Sequence, residues 1–273
     1  MSALVRRIES IVPRKADAFG GKAKNLAALA RAGFPVPAAY ALEARAAADF
    51  FAGALAETDQ PGTLLTAPQR ALTDGRLEDL RGQALAAPLP DATKAALREA
   101  LSALRAEGAV AVAVRSSSTR EDQEASSAAG LHETVLGVRT EEELFAAVRA
   151  CWSSVLTRSA ISYLRTLPLD EAREAGIGIV VQAMVPAEVA GALFTVNPLS
   201  GDPGEMVINA SYGLGNLVMD GRVSPDTYRV DKATGWVRDR VVGEKALASR
   251  WLPDGVAEEM PLTSEKVNTR ICA

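Results

Sequence analysis

Beyond residue 176 the chain breaks into short apolar runs separated by turn residues, a pattern that leaves little choice but sheet. The run Ile177-Gly-Ile-Val-Val-Gln182 is brief and β-branched, Pro186-Ala-Glu188 supplies a turn, and Gly191-Ala-Leu-Phe-Thr-Val196 resumes as a second strand. Met206-Val-Ile208, Thr227-Tyr-Arg-Val230 and Trp236 to Val242 follow, with turns at Asn197-Pro198, Gly201-Asp-Pro203 and Thr234-Gly235. Gly176 to Val196 holds one charge, Glu188, and is long enough to pass for a membrane span. The internal turn makes it two strands instead, so no membrane partner is expected.

The first half is richer in helical patterns. A helix begins at Lys22, carries Leu26, Leu29 and Ala30 on one face and ends at Gly33, because Phe34-Pro-Val-Pro37 cannot continue it. An Ala-rich helical region covers Leu42 to about Leu55. Thr58 to Pro90, rich in Pro, Gly and Thr, reads as irregular structure interrupted by short helices. Asp91 caps a helix to about Glu107, and Ala109-Val-Ala-Val-Ala-Val114 is a buried strand. Ser, Thr, Glu, Asp and Gly dominate from Arg115 to Gly130, predicting a long exposed loop before a strand at Thr134-Val-Leu136. Thr140 with Glu143 spells a capping box, opening a helix to Leu164 that buries Leu144, Val148, Trp152 and Leu156. Glu141-Glu-Glu143 fits the helix dipole better than a metal site.

With 273 residues and 48% hydrophobic content, the chain can bury one large domain or two packed lobes. A net charge of −4 with basic and acidic residues interspersed offers no field for a nucleic-acid backbone, so nucleic acid is not an expected partner. Met1 to Lys15 lacks the apolar stretch of a secretory signal, which makes the cytoplasm the expected location.

Two segments combine backbone freedom with a cation, as phosphate binding requires. Gly20-Gly21-Lys22 leads into a helix whose first N–H groups lack partners, and the Lys22 ammonium can reach an anion. The same residues also suit an ordinary turn, and the P-loop pattern is absent. The second segment runs from Val114-Arg115-Ser-Ser-Ser-Thr-Arg-Glu-Asp122 to Ala129-Gly130-Leu-His132-Glu-Thr134. An Arg leaving a strand has its stem fixed and its guanidinium available for bidentate phosphate contact. A surface loop whose hydroxyls satisfy their own backbone fits the residues equally well.

Phe19-Gly-Gly-Lys-Ala-Lys-Asn-Leu26 with Ala32-Gly-Phe-Pro-Val-Pro37, and Val112-Ala-Val-Arg-Ser-Ser-Ser-Thr-Arg-Glu-Asp122 with Ala129-Gly130 and Glu133-Thr134, resemble the ATP-binding domain of the pyruvate phosphate dikinase, phosphoenolpyruvate synthase and rifampicin phosphotransferase family. Cys151-Trp152-Ser-Ser, Val181-Gln-Ala-Met-Val-Pro186, Gly191-Ala-Leu-Phe-Thr-Val-Asn-Pro198, Ala210-Ser-Tyr-Gly-Leu-Gly215 and Gly221-Arg-Val-Ser-Pro-Asp226 extend the resemblance in order along nearly the whole chain. It implies an α+β, ATP-grasp-like fold over residues 1–273, with mixed sheets, flanking helices and two lobes of roughly 1–108 and 109–273. It further implies conversion of ATP to AMP and phosphate, with phosphoryl transfer to a histidine on a separate domain or chain.

Carried across, the resemblance gives Lys22 and Arg115 the catalytic role of holding the phosphates, Gly130 and Thr134 a place in the loop closing over them, and Gln182 a place beside the base. A lone amide in an apolar strand also needs a partner, which a nucleotide or a neighbouring turn can supply. ATP and Mg2+ are the implied cofactors. His132, the one histidine, lies inside the ATP-loop motif and is read as a loop contact or a solvent-facing side chain, not the phosphate carrier. Gly213-Leu-Gly215 lacks the third glycine of a dinucleotide fingerprint.

The resemblance stops early. Pro261-Leu-Thr-Ser-Glu-Lys-Val267 looks like the start of the helix that precedes the family's last ATP-site segment, a Pro-Gln-Asp-Ile-Glu-Trp type motif absent here. The metal ligands are therefore expected outside this chain, unless carboxylates among Glu205, Asp220, Asp226 and Glu244 replace them. A histidine domain and an acceptor-binding domain are expected in trans or lost. Three readings stay open: a nucleotide-binding part of a phosphotransferase, a non-catalytic ATP-binding module that regulates a partner, and an inactive truncated product.

Overall fold

The computed structural model describes residues 4–67, 72–119, 133–252, 257–262 and 271; Gly130 and His132 lie outside them. The fold is α+β, with helices and antiparallel sheets, and it separates into two compact units, Met1–Met184 and Val185–Ala273.

In the first unit, strands β1 (Val5–Arg7) and β2 (Ala39–Leu42) flank helix α1 (Gly21–Arg31) in sequence. Helices α2 (Arg45–Ala54), α3 (Pro61–Leu64), α4 (Asp74–Ala86) and α5 (Asp91–Ala106) follow, then strands β3 (Val112–Ser118) and β4 (Thr134–Val138). Helices α6 (Glu141–Ser153), α7 (Arg158–Leu164) and α8 (Leu169–Glu174) lead to strand β5 (Ile177–Ala183). The sheet order is β1-β2-β5-β3-β4, antiparallel throughout.

Strand alternation sorts this sheet into two faces. Leu42, Val112, Val114, Ile177, Ile179 and Val181 face the larger core, where α2, α4, α5 and α6 bring Phe50, Leu80, Leu97, Leu101, Val148 and Trp152. The Trp152 indole N–H donates to the Ile177 carbonyl (3.1 Å), and its ring lies 5.2 Å from Phe50. Ala39, Ala41 and Val180 face the other way, toward Ile8, Ile11, Phe19, Ala23 and Ala27 of α1 and the 3-10 turns before it.

The second unit is a meander of β6 (Val189–Phe194), β7 (Glu205–Tyr212), β8 (Asp226–Asp231) and β9 (Val237–Val241). Helix α9 (Asn216–Met219) and a hairpin of β10 (Leu247–Trp251) and β11 (Ala257–Pro261) complete it.

Several expectations change. β5 lies between β2 and β3, so one sheet joins residues on both sides of 108 and the division falls after Met184. In place of mixed sheets, the named strands form antiparallel ladders in both units, those of the second pairing in sequence order. The only parallel pairing among the described residues is an isolated bridge from Gly213 to Ser249. The Ala-rich helix begins at Arg45, since Ala39–Leu42 is a strand between Val5–Arg7 and β5. The stretch read as irregular structure with short helices holds α3 and a longer helix than expected, the 13-residue α4, capped by the Thr73 hydroxyl, which accepts from Arg76 N (3.2 Å). Asp91 is the first residue of α5 and makes no cap bond; Pro90 precedes it. The helix from Thr140 ends at Ser153, and Thr157 caps a separate α7, leaving Leu156 buried in the break. Pro261 closes β11, and 263–267 of the expected helix lie outside the described residues. No helix among the described residues is long and apolar enough to cross a membrane.

Candidate nucleotide site

The α1 face of the first sheet gathers most of the sequence-derived candidates. On β3, Ala113, Arg115 and Ser117 alternate onto this face, opposite the side of Val112, Val114 and Ser116. Gln182 pairs in register with Ala113, and Thr134 with Arg115, so both share the face with Arg115. Arg115 Nη1 donates to Gln182 Oε1 (3.3 Å), and Gln182 Nε2 donates to the Pro37 carbonyl (3.3 Å). The amide joins the guanidinium on β3 to the residue that ends the Phe-Pro-Val-Pro stretch. Gln182 is buried, Arg115 half-buried and Thr134 exposed. Its protein partners supply the neighbouring-turn alternative for the lone amide.

Lys22 arrives on the same face through α1. Gly20, at φ +85°, precedes the helix, and a Cβ there would stand 2.1 Å from the Ser117 carbonyl oxygen. A Cβ on Gly178 of β5 would likewise meet the Phe19 carbonyl at 2.4 Å. The glycines are thus needed to lay the backbone of 19–21 against β3 and β5. The Ser117 hydroxyl accepts from Ala23 N (3.2 Å), fixing the first turn of α1 to β3. Lys22 is half-buried, one residue before that anchor. Neither Lys22 nor Arg115 is without partners inside the protein.

Arg115 to Ser118 belong to β3, not to an exposed loop. Ser116 pairs with the Glu133 backbone, donating to its carbonyl (3.2 Å) and accepting from its N–H (2.9 Å), and Ser117 holds α1. All three serines are buried. Hydroxyl-rich sequence hid a strand whose pairing comes from distant β5. Thr119 ends it, its hydroxyl accepting from Gly176 N (2.9 Å). Gly130, expected in the closing loop, is outside the described residues.

Two of the four carboxylates offered as replacement ligands are committed to protein partners. Asp226 is fully buried and ion-paired with Lys245, itself fully buried; its Oδ1 also accepts from Gly243 N (3.0 Å) and its Oδ2 from Ile271 N (2.9 Å). Glu205 is buried and accepts from Asn197 Nδ2, while Asn197 Oδ1 accepts from Leu199 N (2.9 Å) and Ser200 N (3.2 Å). The Asn-Pro block of the resemblance therefore builds a turn. Asp220 and Glu244 are exposed. No group of three or more His, Cys, Asp and Glu that could hold a metal stands together among the described residues. Sequence reasoning missed Lys245, since its partner lies 19 positions away and nothing local marks a lysine for burial.

Residues 16–271 match the family model described as "Pyruvate phosphate dikinase, AMP/ATP-binding domain". An uncharacterized phosphotransferase of Bacillus subtilis, YvkC, is 35% identical over 93% of this chain and 28% of its own length. A probable phosphoenolpyruvate synthase of Methanocaldococcus jannaschii is 36% identical over 87% of this chain and 20% of its own. A rifampicin phosphotransferase of Streptomyces is 34% identical over 90% of this chain and 28% of its own. The chain spans a fifth to somewhat over a quarter of the length of these relatives. With the family model running along nearly all of it, the chain belongs to the pyruvate phosphate dikinase AMP/ATP-binding domain family.

Proposed function

We propose that the chain is the ATP-binding part of a phosphotransferase with an ATP-grasp-like fold. Lys22 and Arg115 hold the phosphates, Thr134 and the segment containing Gly130 close over them, and Gln182 borders the base. The observation that carries this reading is the convergence of Arg115, Thr134 and Gln182 on the sheet face where α1 delivers Lys22. A guanidinium and an ammonium beside a helix start suit an anionic polyphosphate. The Gln182 amide carries two N–H groups, of which Pro37 takes one. The AMP/ATP-binding description of the matched family supports ATP as the bound nucleotide, and phosphotransferase among the relatives' names fits phosphoryl transfer. On this reading AMP and phosphate are the products and a histidine on another domain or chain is the receiver.

The test is calorimetric titration with ATP. A charge-assisted hydrogen bond contributes about 1.5 to 3 kcal/mol, so Arg115→Ala is expected to weaken binding at least about tenfold. Equal affinity in wild type and variant would remove Arg115 from the site.

A second reading, a module that holds ATP without turning it over, draws support from the commitment of Asp226 and Glu205 to protein partners. On that reading ATP is held to sense it or to regulate a partner, and no acceptor is needed.

A further inference from the structure

Helix α1 lacks a cap of its own. Its N-cap residue is Gly20, which has no side chain to accept from the first-turn N–H groups. The Ser117 hydroxyl does this from another element, accepting from the N–H of Ala23, the third residue of the helix. Ser117 is fully buried on β3, two positions from Arg115 and on the same face. The absent side chain of Gly20 is what allows the approach, since a Cβ there would also stand 2.5 Å from the Ser117 hydroxyl oxygen.

We infer that Ser117 is a positioning residue for phosphate binding: its hydroxyl, capping α1 from β3, sets Lys22 relative to Arg115. This rests on the ATP-binding reading above. The two cations sit on separate elements, and a triphosphate bridging them requires a fixed spacing between them. The Ser117–Ala23 hydrogen bond joins the two elements directly, one residue from Lys22 and two from Arg115. Its loss frees the helix start to shift along the strand. Charge is unchanged, and the Gln182 end of the face keeps its own hydrogen bonds to Arg115 and Pro37. The defect should therefore fall on the phosphates and spare the base.

The experiment compares ATP and adenosine affinities of the full chain as wild type, Ser117→Ala, Ser117→Cys and Thr140→Ala. The thiol fills the site with a somewhat larger atom and accepts hydrogen bonds weakly, so it tests the bond without leaving a cavity if the alanine variant fails to fold. Thr140→Ala removes a comparable cap from α6, away from the site. Expected is about fivefold weaker ATP binding for Ser117→Ala, a smaller loss for Ser117→Cys, unchanged adenosine binding by both, and no change in either ligand for Thr140→Ala. Unchanged ATP affinity in both Ser117 variants, or a parallel loss of ATP and adenosine, would overturn the positioning role while leaving the ATP reading standing. A wild-type chain that binds neither ligand would overturn the ATP reading itself, and the positioning role with it.

Discussion

Gly20 combines a backbone conformation that L side chains avoid, φ +85° with ψ 170°, with a backbone contact that a Cβ would violate at 2.1 Å. Gly20→Ala is therefore expected to destabilise the first unit by about 3 kcal/mol or more, measured by chemical denaturation. A loss below about 1 kcal/mol would mean that α1 can withdraw from β3 without cost. Cys151 makes a different kind of prediction. Burial in the larger core, with a smaller contribution from the Glu133 charge, pushes its thiol up to about 12. The folded protein keeps this proton where the unfolded chain, near 9.0, has released it. Its contribution to stability is thus fully present below about pH 9 and is lost as pH rises toward about 12. In a Cys272→Ser background, dithionitrobenzoate near neutral pH should react only on unfolding, and fast labelling of the native protein would contradict this.

The caps of α6 illustrate what local sequence can announce. The Thr140 hydroxyl accepts from Glu143 N (3.1 Å), and the Glu143 carboxylate accepts from Thr140 N (3.2 Å) and Arg139 N (2.6 Å). Thr140→Ala should cost about 1 kcal/mol in thermal or chemical denaturation, and a neutral result would show the cap to be redundant. The Arg139 and Thr140 backbone N–H groups hold the Glu143 carboxyl below its usual range. Its contribution is present above the ordinary carboxylate pKa and lost as pH falls through the folded value; Glu143→Gln should flatten that acid limb. This cap, the α1 boundaries and β5 were legible because each is written within a few neighbouring residues. β2 was not, since Ala39-Tyr-Ala-Leu42 merges into the Ala-rich helix behind it and becomes a strand only through β1 and β5. The same holds for Ser116 to Ser118, whose polarity reads as loop until distant strands and α1 occupy their hydrogen-bonding groups. Of the candidate site, Arg115, Thr134 and Gln182 were identified with the sheet face they share still unseen, and Ser117 acquired meaning only from its contact with Ala23.

At the scale of the whole chain, the second unit depends on a buried charge. Lys245→Met would leave the Asp226 carboxylate buried without its cation, and a loss of about 3 to 5 kcal/mol in the unfolding of residues 185–273 is expected, read by hydrogen exchange across β7 and β8. Unaltered protection there would show that the Gly243 and Ile271 N–H groups suffice for Asp226. The proposed division of labour predicts that the chain alone binds ATP yet forms AMP at a rate lower by about a thousandfold or more than with the remaining domains of a related dikinase supplied in trans. Robust AMP formation by the isolated chain would refute it. The sheet order adds a consequence for biosynthesis. β5, the last strand of the first unit to leave the ribosome, is the one that joins β1-β2 to β3-β4. Until it emerges, β1-β2 and β3-β4 share no ladder and each presents a strand edge open to mispairing, and Ile177–Ala183 closes both in a single late step.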